Sequence, residues 1–264
     1  MPELPDVAGF QRYLDATSLH QRIASASCHD PRFVKGVSRR ALQRRLKGAE
    51  LVATRRWGKW LFAPLSTGGA LVLHFGMTGG LDYAAAGDDE PRHTRLVLHF
   101  ANGYRLAVIS QRMIGRASIT DDVDAFAAEH DLGPDALSDG LDRSSFVERL
   151  SGRRGAIKSA LMNQAVVAGI GNVYADEMLF QAKLHPATAV TDLDADRLGE
   201  LYTVMRRVLR VAARKGGNGE QAPRGWVLRR RGAEETCPRC GGRLDSIKVN
   251  GRTSWFCPAC QAKG

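Results

Sequence analysis

The chain of 264 residues lacks any apolar run of the roughly 18–20 residues that a membrane-spanning helix requires. Its first residues do not show the basic-then-apolar order of a secretory signal. Acidic residues are in deficit: 28 Asp and Glu stand against 38 Lys and Arg, giving a formal net charge of +10. We therefore expect a soluble protein, in the cytoplasm or at the nucleoid, without a membrane partner and with a strongly basic surface.

Cysteine is also scarce, with five residues, four of which form two C-x-x-C pairs. Cys237 and Cys240 are followed, after a 16-residue interval, by Cys257 and Cys260. This spacing fits a tetrahedral four-thiolate zinc site, and four protein ligands leave no open position, so we expect structural Zn²⁺. Disulfides are the competing interpretation, but intracellular proteins rarely carry them. We expect the remote Cys28 to be a small buried or half-buried residue without a role.

The positive charge is clustered along the chain. The clusters are residues 39–47, Arg55 with Arg56, Arg153 with Arg154, and residues 229–231, and several of them fall in predicted loops or at element ends. Such a surface suits a polyanion whose phosphates would make binding salt-sensitive. An ordinary solvated surface is the alternative that charge alone leaves open.

The pattern of apolar residues divides the chain into two unlike halves. Helical spacing near the start predicts a first helix, and closely spaced strands follow at 50–56, 60–65, 70–75, 95–100 and 104–109. An acidic, turn-rich linker leads to predicted helices at 144–150, 157–164, 173–182 and 194–215. Asn102-Gly103 and Asn250-Gly251 each predict a hairpin turn. We predict an α+β protein with segments 1–120, 121–135 (linker), 136–216 and 217–264.

The residues after Met1 offer a candidate nucleophile. If an aminopeptidase removes Met1, Pro2 becomes a secondary α-amine with the carboxylate of Glu3 beside it. An α-amine has a reference pKa of about 7.7–8.0, so much of it is neutral near pH 7 and able to form an iminium. The alternative is an ordinary helix start, since Pro5 suits a first helical turn and Asp6 the helix dipole.

A glycine-bearing turn, VAGIGN at 167–172, precedes one of the predicted helices. Unpaired N–H groups at a helix start suit a phosphate, and Arg153, Arg154 and Lys158 lie upstream. A tight turn in which glycine supplies a positive φ explains the same residues. Both interpretations remain open.

Five segments resemble one family in its own order: PELPDV at the start, RRWGKWL, LHFGMTGGL, VVAGIGNVYADE and the terminal CPRC…CPAC. They are similar to the formamidopyrimidine-DNA glycosylase/endonuclease VIII family of base-excision repair enzymes. The resemblance implies a β-sandwich flanked by helices, a helix–two-turn–helix domain and a zinc-finger hairpin, with DNA in the cleft. It also implies a monomer, in the cytoplasm or at the nucleoid, acting on double-stranded DNA that contains damaged bases or abasic sites.

The resemblance assigns catalytic roles residue by residue. Pro2 matches the nucleophile that attacks C1′ of the damaged nucleotide, and Glu3 matches the adjacent acid and base. Lys59 matches a loop lysine that contacts the phosphate beside the lesion. Arg252 matches the finger arginine that binds the phosphates around it. The activity implied is a bifunctional DNA glycosylase and abasic-site lyase with β- or β,δ-elimination; a non-catalytic binder of damaged DNA is the alternative.

Further positions match residues that contact DNA: Asn172, His93, Arg112 and Arg153. The family fills the gap left by an extruded base with three side chains, and here Met77, Arg112 and Ile114 take those positions. The chain departs from the family at the third, which is usually phenylalanine, and isoleucine can wedge between bases but cannot stack. The loop 217–236 is also short for one that covers an extruded 8-oxoguanine. The preferred lesion and the opposite base therefore stay open.

Overall fold

A computed structural model describes residues 2–232 and 235–262. The described residues form two compact units: one contains Pro2 and Asp6–His130, and the other contains Glu3–Pro5 and the chain from Asp131 onward. The four segments expected from the sequence stay a prediction. Part of the expected linker is a helix, Val123–Glu129, which Asp122 caps by accepting hydrogen bonds from two backbone N–H groups.

The first unit contains two four-stranded antiparallel sheets, with the strand orders β1-β6-β7-β5 and β2-β3-β4-β8. Buried leucines from both sheets belong to one apolar core, as in a β-sandwich. The strands are β1 Ile23–Cys28, β2 Arg55–Trp57, β3 Trp60–Pro64, β4 Ala70–His74, β5 Gly79–Ala85, β6 Thr94–Phe100, β7 Tyr104–Ser110 and β8 Arg116–Thr120. The helices are α1 Leu4–Thr17, α2 Arg39–Leu46 and α3 Val123–Glu129.

Most predicted elements of this unit are present, with one boundary error and several omissions. The strand expected at 50–56 is confined to Arg55–Trp57, because the segment before it forms only isolated bridges through Glu50 and Leu51. Strands β1, β5 and β8 and helix α2 were not predicted. Cys28, the last residue of β1, is buried as expected.

The second unit is helical and ends in a β-hairpin. Its helices are α4 Arg143–Leu150, α5 Ile157–Met162, α6 Asn172–Gln181 and α7 Ala195–Arg214, and its strands are β9 Asp245–Val249 and β10 Arg252–Phe256. Leu198, Leu201, Met205 and Val208 of α7 are buried on one face, as their spacing predicts. Leu4, from the start of the chain, lies in the same core.

The observed mixture of sheets and helices confirms the α+β fold class. Among the described residues, no helix combines the length and apolarity needed to cross a bilayer.

Candidate DNA site and metal centre

The carboxylate of Glu3 is fixed at the start of α6. Glu3 is 1% exposed and accepts three backbone hydrogen bonds. The N–H of Gly171 donates to Oε2 at 2.8 Å, that of Val173 to Oε1 at 2.8 Å and that of Tyr174 to Oε2 at 3.2 Å. These donors are among the N–H groups that a helix start leaves without an intrahelical partner. The phosphate interpretation of this turn is therefore wrong for these three groups, because an acidic side chain of the protein itself occupies them.

Gly171 is needed at this position for space. A Cβ built on it would lie 2.3 Å from Cδ and 2.4 Å from Oε1 of Glu3, whereas its φ of −128° is one that any residue adopts. The backbone N–H of Leu4 also donates to the carbonyl of Gly169 at 3.0 Å. The glycine turn and the chain start thus hold the carboxylate in one place.

The structure brings two predicted DNA-contacting residues, Asn172 and Arg252, to neighbouring positions. Asn172 is the first residue of α6, and its Nδ2 donates to the carbonyl of Thr253 at 3.2 Å. Arg252 is exposed and begins β10, directly after a turn in which Asn250 and Gly251 have φ values of 46° and 71°. The predicted Asn-Gly hairpin is confirmed, and its tip presents Arg252 one residue from the Asn172 contact.

The three residues expected to fill the gap in DNA lie on adjacent loops of the first unit. Met77 is 37% exposed in the turn between β4 and β5, and Ile114 is 50% exposed in the loop between β7 and β8. The guanidinium of Arg112 lies 3.9 Å from the sulfur of Met77. The two loops pack backbone to backbone, since a Cβ on Gly76 would lie 2.4 Å from the N of Gly115.

Lys59 lies in the two-residue turn that joins β2 to β3 and is half-buried. A nearby histidine, His74 at the end of β4, was not predicted as a site residue. Burial, then the positive charges of Arg116 and Lys59, lowers the pKa of His74 to about 4. Its imidazole is therefore neutral near pH 7, and Nδ1 accepts the N–H of Gly76 at 3.2 Å. The LHFG motif contained this histidine, but only the fold places it near the lysine.

The other predicted site residues lie at exposed or half-exposed positions. His93 is exposed with a φ of 68°, and its carbonyl accepts the N–H of Ser110 at 3.0 Å, two residues before Arg112. Arg153 is exposed after α4, and its Nε donates to the carbonyl of Arg149. Pro2 is half-buried in the first unit.

The four cysteines outside the first unit form a metal centre. Their sulfurs all lie within 4.8 Å of one another, with 3.9 Å between Cys237 and Cys260 and 3.6 Å between Cys240 and Cys257. Zinc–sulfur bonds of about 2.3 Å in a tetrahedron place sulfurs roughly 3.8 Å apart, so the cluster fits Zn²⁺. Because four thiolates complete the coordination, the zinc is structural.

Three family models match successive parts of the chain. Residues 1–117 match the family model of the formamidopyrimidine-DNA glycosylase N-terminal domain, and residues 132–223 match that of the H2TH domain of the same enzymes. Residues 234–263 match the zinc finger found in FPG and IleRS. The class defined by fold and site is thus a DNA glycosylase with a helix–two-turn–helix domain and a four-cysteine finger.

Individual relatives align with this chain over nearly its full length. The formamidopyrimidine-DNA glycosylase of Acaryochloris marina is 33% identical over 283 residues and that of Thermomicrobium roseum 35% over 288, each covering 99% of both chains. Lactococcus lactis formamidopyrimidine-DNA glycosylase, solved non-covalently bound to DNA with an abasic site, has a TM-score of 0.90 at 29% identity, with 99% of this chain and 100% of that chain covered. A MutM structure with DNA containing carbocyclic 8-oxo-G gives the same values. The chain belongs to the formamidopyrimidine-DNA glycosylase family.

Proposed function

We propose that this protein excises damaged bases from duplex DNA and then cleaves the abasic strand, through an iminium formed by the amine of Pro2 after removal of Met1. The observation that carries the proposal is the buried Glu3 carboxylate, one peptide bond from that amine and fixed by three backbone donors. A rigid carboxylate next to a nucleophile is the arrangement that acid–base catalysis requires.

The first step is substitution at C1′ of the damaged nucleotide. The nitrogen of Pro2 bonds to C1′ and gives its proton to the carboxylate of Glu3, while the bond from C1′ to the base breaks and the base departs with the bonding pair, taking a proton from water. Glu3 then passes the proton it received to the ring oxygen as the sugar ring opens. The products are a free base and a covalent iminium between Pro2 and the opened sugar.

Strand cleavage follows from the iminium. Loss of a proton from C2′ sends electrons toward the iminium carbon, the C3′–O bond breaks, and the 3′ phosphate departs. Water then hydrolyses the iminium and releases Pro2. The departing phosphate carries negative charge, which Lys59 and Arg252 would neutralise from positions matching the family's phosphate contacts. A second elimination, before that hydrolysis, can break the C5′–O bond, so that the 5′ phosphate departs and the sugar fragment stays on Pro2 until water releases it.

Reaching the base requires its extrusion from the duplex, at a cost of a few kcal/mol. Met77, Arg112 and Ile114 would fill the space it leaves. They support this role because Met77 and Ile114 are large apolar side chains that the fold leaves exposed, and Arg112 lies against Met77. His93, Asn172 and Arg153 would contact the sugar–phosphate backbone.

The known complexes of similar proteins support DNA as the partner. The Lactococcus lactis protein was solved with abasic-site DNA, and the net charge of +10 suits a duplex. We propose that this protein likewise binds damaged and abasic duplex DNA, as a monomer, in the cytoplasm or at the nucleoid. We also propose 1–120, 136–216 and 217–264 as its domains, with 121–135 between them.

The test is borohydride trapping with protein shown to lack Met1. Duplexes would carry an abasic site, 8-oxoguanine, a ring-opened purine, an oxidised pyrimidine or a hydantoin, and the crosslinked peptide would be sequenced. We expect a crosslink at Pro2, and its distribution over the panel would name the lesion class. Protein with an added N-terminal tag is the control and should not crosslink. Absence of a crosslink even at the abasic site would overturn the proposal in favour of a non-catalytic damage binder.

A further inference from the structure

Three charged side chains form a buried network in the second unit that the proposed reaction does not use. Lys158 of α5 and Asp176 of α6 are both 0% exposed, and their Nζ and Oδ1 atoms lie 2.6 Å apart. Arg231, which is 16% exposed, places Nη1 2.8 Å from the other carboxylate oxygen, Oδ2. One carboxylate thus joins two cations that come from distant parts of the chain.

The network holds three consecutive residues of strand β10. The ammonium of Lys158 donates to Oγ of the buried Ser254 at 2.6 Å and lies 3.4 Å from the carbonyl of Thr253. The backbone N–H of Trp255 donates to Oδ2 of Asp176 at 3.2 Å. Strand β10 begins with Arg252, so the network fixes the strand immediately after that residue.

The same network holds the first turn of α6. The guanidinium of Arg231 donates to the carbonyls of Asn172 at 3.2 Å and Val173 at 3.3 Å. The N–H groups of that turn hold Glu3 on their other side. Strand β10 and the α6 start are therefore tied to one buried carboxylate, in addition to the direct contact between Asn172 and Thr253.

Stability alone is a poor reason for this arrangement. Taking charges out of water is costly, and burial lowers the pKa of Lys158 even though the charge of Asp176 opposes the shift. An apolar contact of similar volume would hold two elements together at least as well. What buried, hydrogen-bonded charges add is a single allowed geometry, because each donor and acceptor must be met.

We propose that Lys158, Asp176 and Arg231 are positioning residues that set the place of Arg252 relative to Asn172 and Glu3. This inference rests on the proposed function only because that function gives Arg252, Asn172 and Glu3 their roles toward DNA. Its structural part concerns the zinc-loaded protein without DNA.

The first test is hydrogen exchange of the full-length, zinc-loaded protein. Lys158→Met removes the ammonium but leaves Asp176 paired with Arg231. We expect zinc content to be retained and exchange of the amides in 252–256 to rise by about tenfold or more. Lys248→Met is the matched control, since Lys248 also contacts Thr253, at 2.7 Å, but from the exposed side of the hairpin. If Lys158→Met loses zinc, Ser254→Ala takes its place, because it removes the link to β10 and leaves all three charges.

The second test is a double-mutant cycle read out as affinity for a duplex with a stable abasic analogue. Lys158→Met should weaken this affinity by about tenfold, and by less than about twofold when Arg252→Ala is already present, because the network acts through Arg252. A merely structural role would give additive effects. Lys248→Met should leave the affinity within about twofold in either background.

Unchanged exchange in both variants would overturn the proposal, and so would additive losses in the cycle. Failure of the proposed function has a different signature: the wild-type protein would show no preference for the abasic duplex and no borohydride crosslink. In that case the exchange measurement alone decides whether the network positions β10.

Discussion

The backbone N–H of Gly171 donates to Oε2 of Glu3 at 2.8 Å, although 168 positions separate the two residues. The carboxylate of Glu3 can lie this close only because Gly171 has no side chain. A substitution at Gly171 therefore alters the placement of Glu3 without changing Glu3 itself.

Gly171→Ala should slow base excision strongly and leave the fold intact. The new Cβ would lie 2.3 Å from Cδ of Glu3, so the carboxylate must leave its three donors. We expect single-turnover excision to fall by about 10²–10³-fold, in the range that a positioned acid or base contributes. Gly140→Ala is the control, because a Cβ there meets no atom within 4 Å. Equal rates for the two variants would remove the proposed role of the turn.

Glu3→Gln should retain binding to lesion-containing DNA and lose excision. The amide keeps the size of the side chain, but it cannot give a proton to the ring oxygen, and its NH₂ would oppose a backbone N–H. We expect a loss of about 10²–10⁴-fold in single-turnover rate. Fluorescence anisotropy with lesion-containing DNA checks that binding is retained. An excision rate equal to wild type would assign the acid to another residue.

Cys240→Ser should empty the metal centre and weaken DNA binding. Structural zinc contributes roughly 10–16 kcal/mol of binding free energy in finger peptides, so losing one ligand should unfold the hairpin that carries Arg252. Zinc content by mass spectrometry and duplex affinity are the measurements. Cys28→Ser is the control, since Cys28 lies in β1 and donates only to the carbonyl of Asp30. Retained zinc and affinity in Cys240→Ser would contradict the prediction.

Glu177 should make unfolding free energy depend on pH. Burial raises its pKa from the usual 4.5 to about 7, although the side chain of Gln181 and the N–H of Leu228 donate to it. An acid with a raised folded-state pKa binds its proton more tightly when folded. Ionisation of Glu177 therefore lowers the free energy of unfolding. The loss is absent below pH 4.5 and grows to about 3 kcal/mol as the pH rises to 7.

Glu177→Gln mimics the protonated form and should remove that loss. We expect the free energy of unfolding of the variant to exceed that of the wild type by up to about 3 kcal/mol at pH 8 and by little at pH 5. Urea unfolding at matched pH is the measurement, because zinc effects cancel in the difference. Glu148→Gln, at an exposed position of α4, is the control. A difference that is the same at both pH values would contradict the prediction.

Ile114→Ala should weaken lesion binding without destabilising the protein. The side chain is 50% exposed, so unfolding free energy should change by less than about 0.5 kcal/mol. If Ile114 fills the gap left by an extruded base, affinity for abasic-analogue DNA should fall by about tenfold. Val52→Ala, at another exposed apolar position, should change neither the unfolding free energy nor the affinity for abasic-analogue DNA. Unaltered affinity in Ile114→Ala would exclude the wedge role.

Local patterns were enough to predict the hairpins and most helices. Asn250-Gly251 specifies its turn because both residues adopt positive φ readily, and α7 is apolar on one face over 20 residues. Helix α2 was missed because its sequence, RRALQRRL, buries only Leu42 and Leu46; the cap at Ser38 was the available signal. Strand β1, with the sequence IASASC, has too few large β-formers to stand out.

Motif resemblance supplied the candidate site residues but not their partners. Nothing near Glu3 in the sequence indicates Gly171, and nothing near Lys158 indicates Asp176 or Ser254. These contacts join positions separated by the whole fold, so residue spacing carries no information about them. His74 was within a recognised motif, yet its proximity to Lys59 follows only from the pairing of β3 with β4.

The second unit includes Glu3–Pro5, and Leu4 lies in its apolar core. During synthesis these residues leave the ribosome well before α6, and the N–H of Tyr174 must emerge before the carboxylate of Glu3 can accept all three backbone hydrogen bonds. At about 5–20 residues per second, that is a wait of roughly 10–35 s. A fragment starting at Asp131 would lack both Leu4 and the acceptor for three helix-start N–H groups. Residues at the very start of the chain therefore complete the core and the helix start of a unit whose other residues all follow position 130.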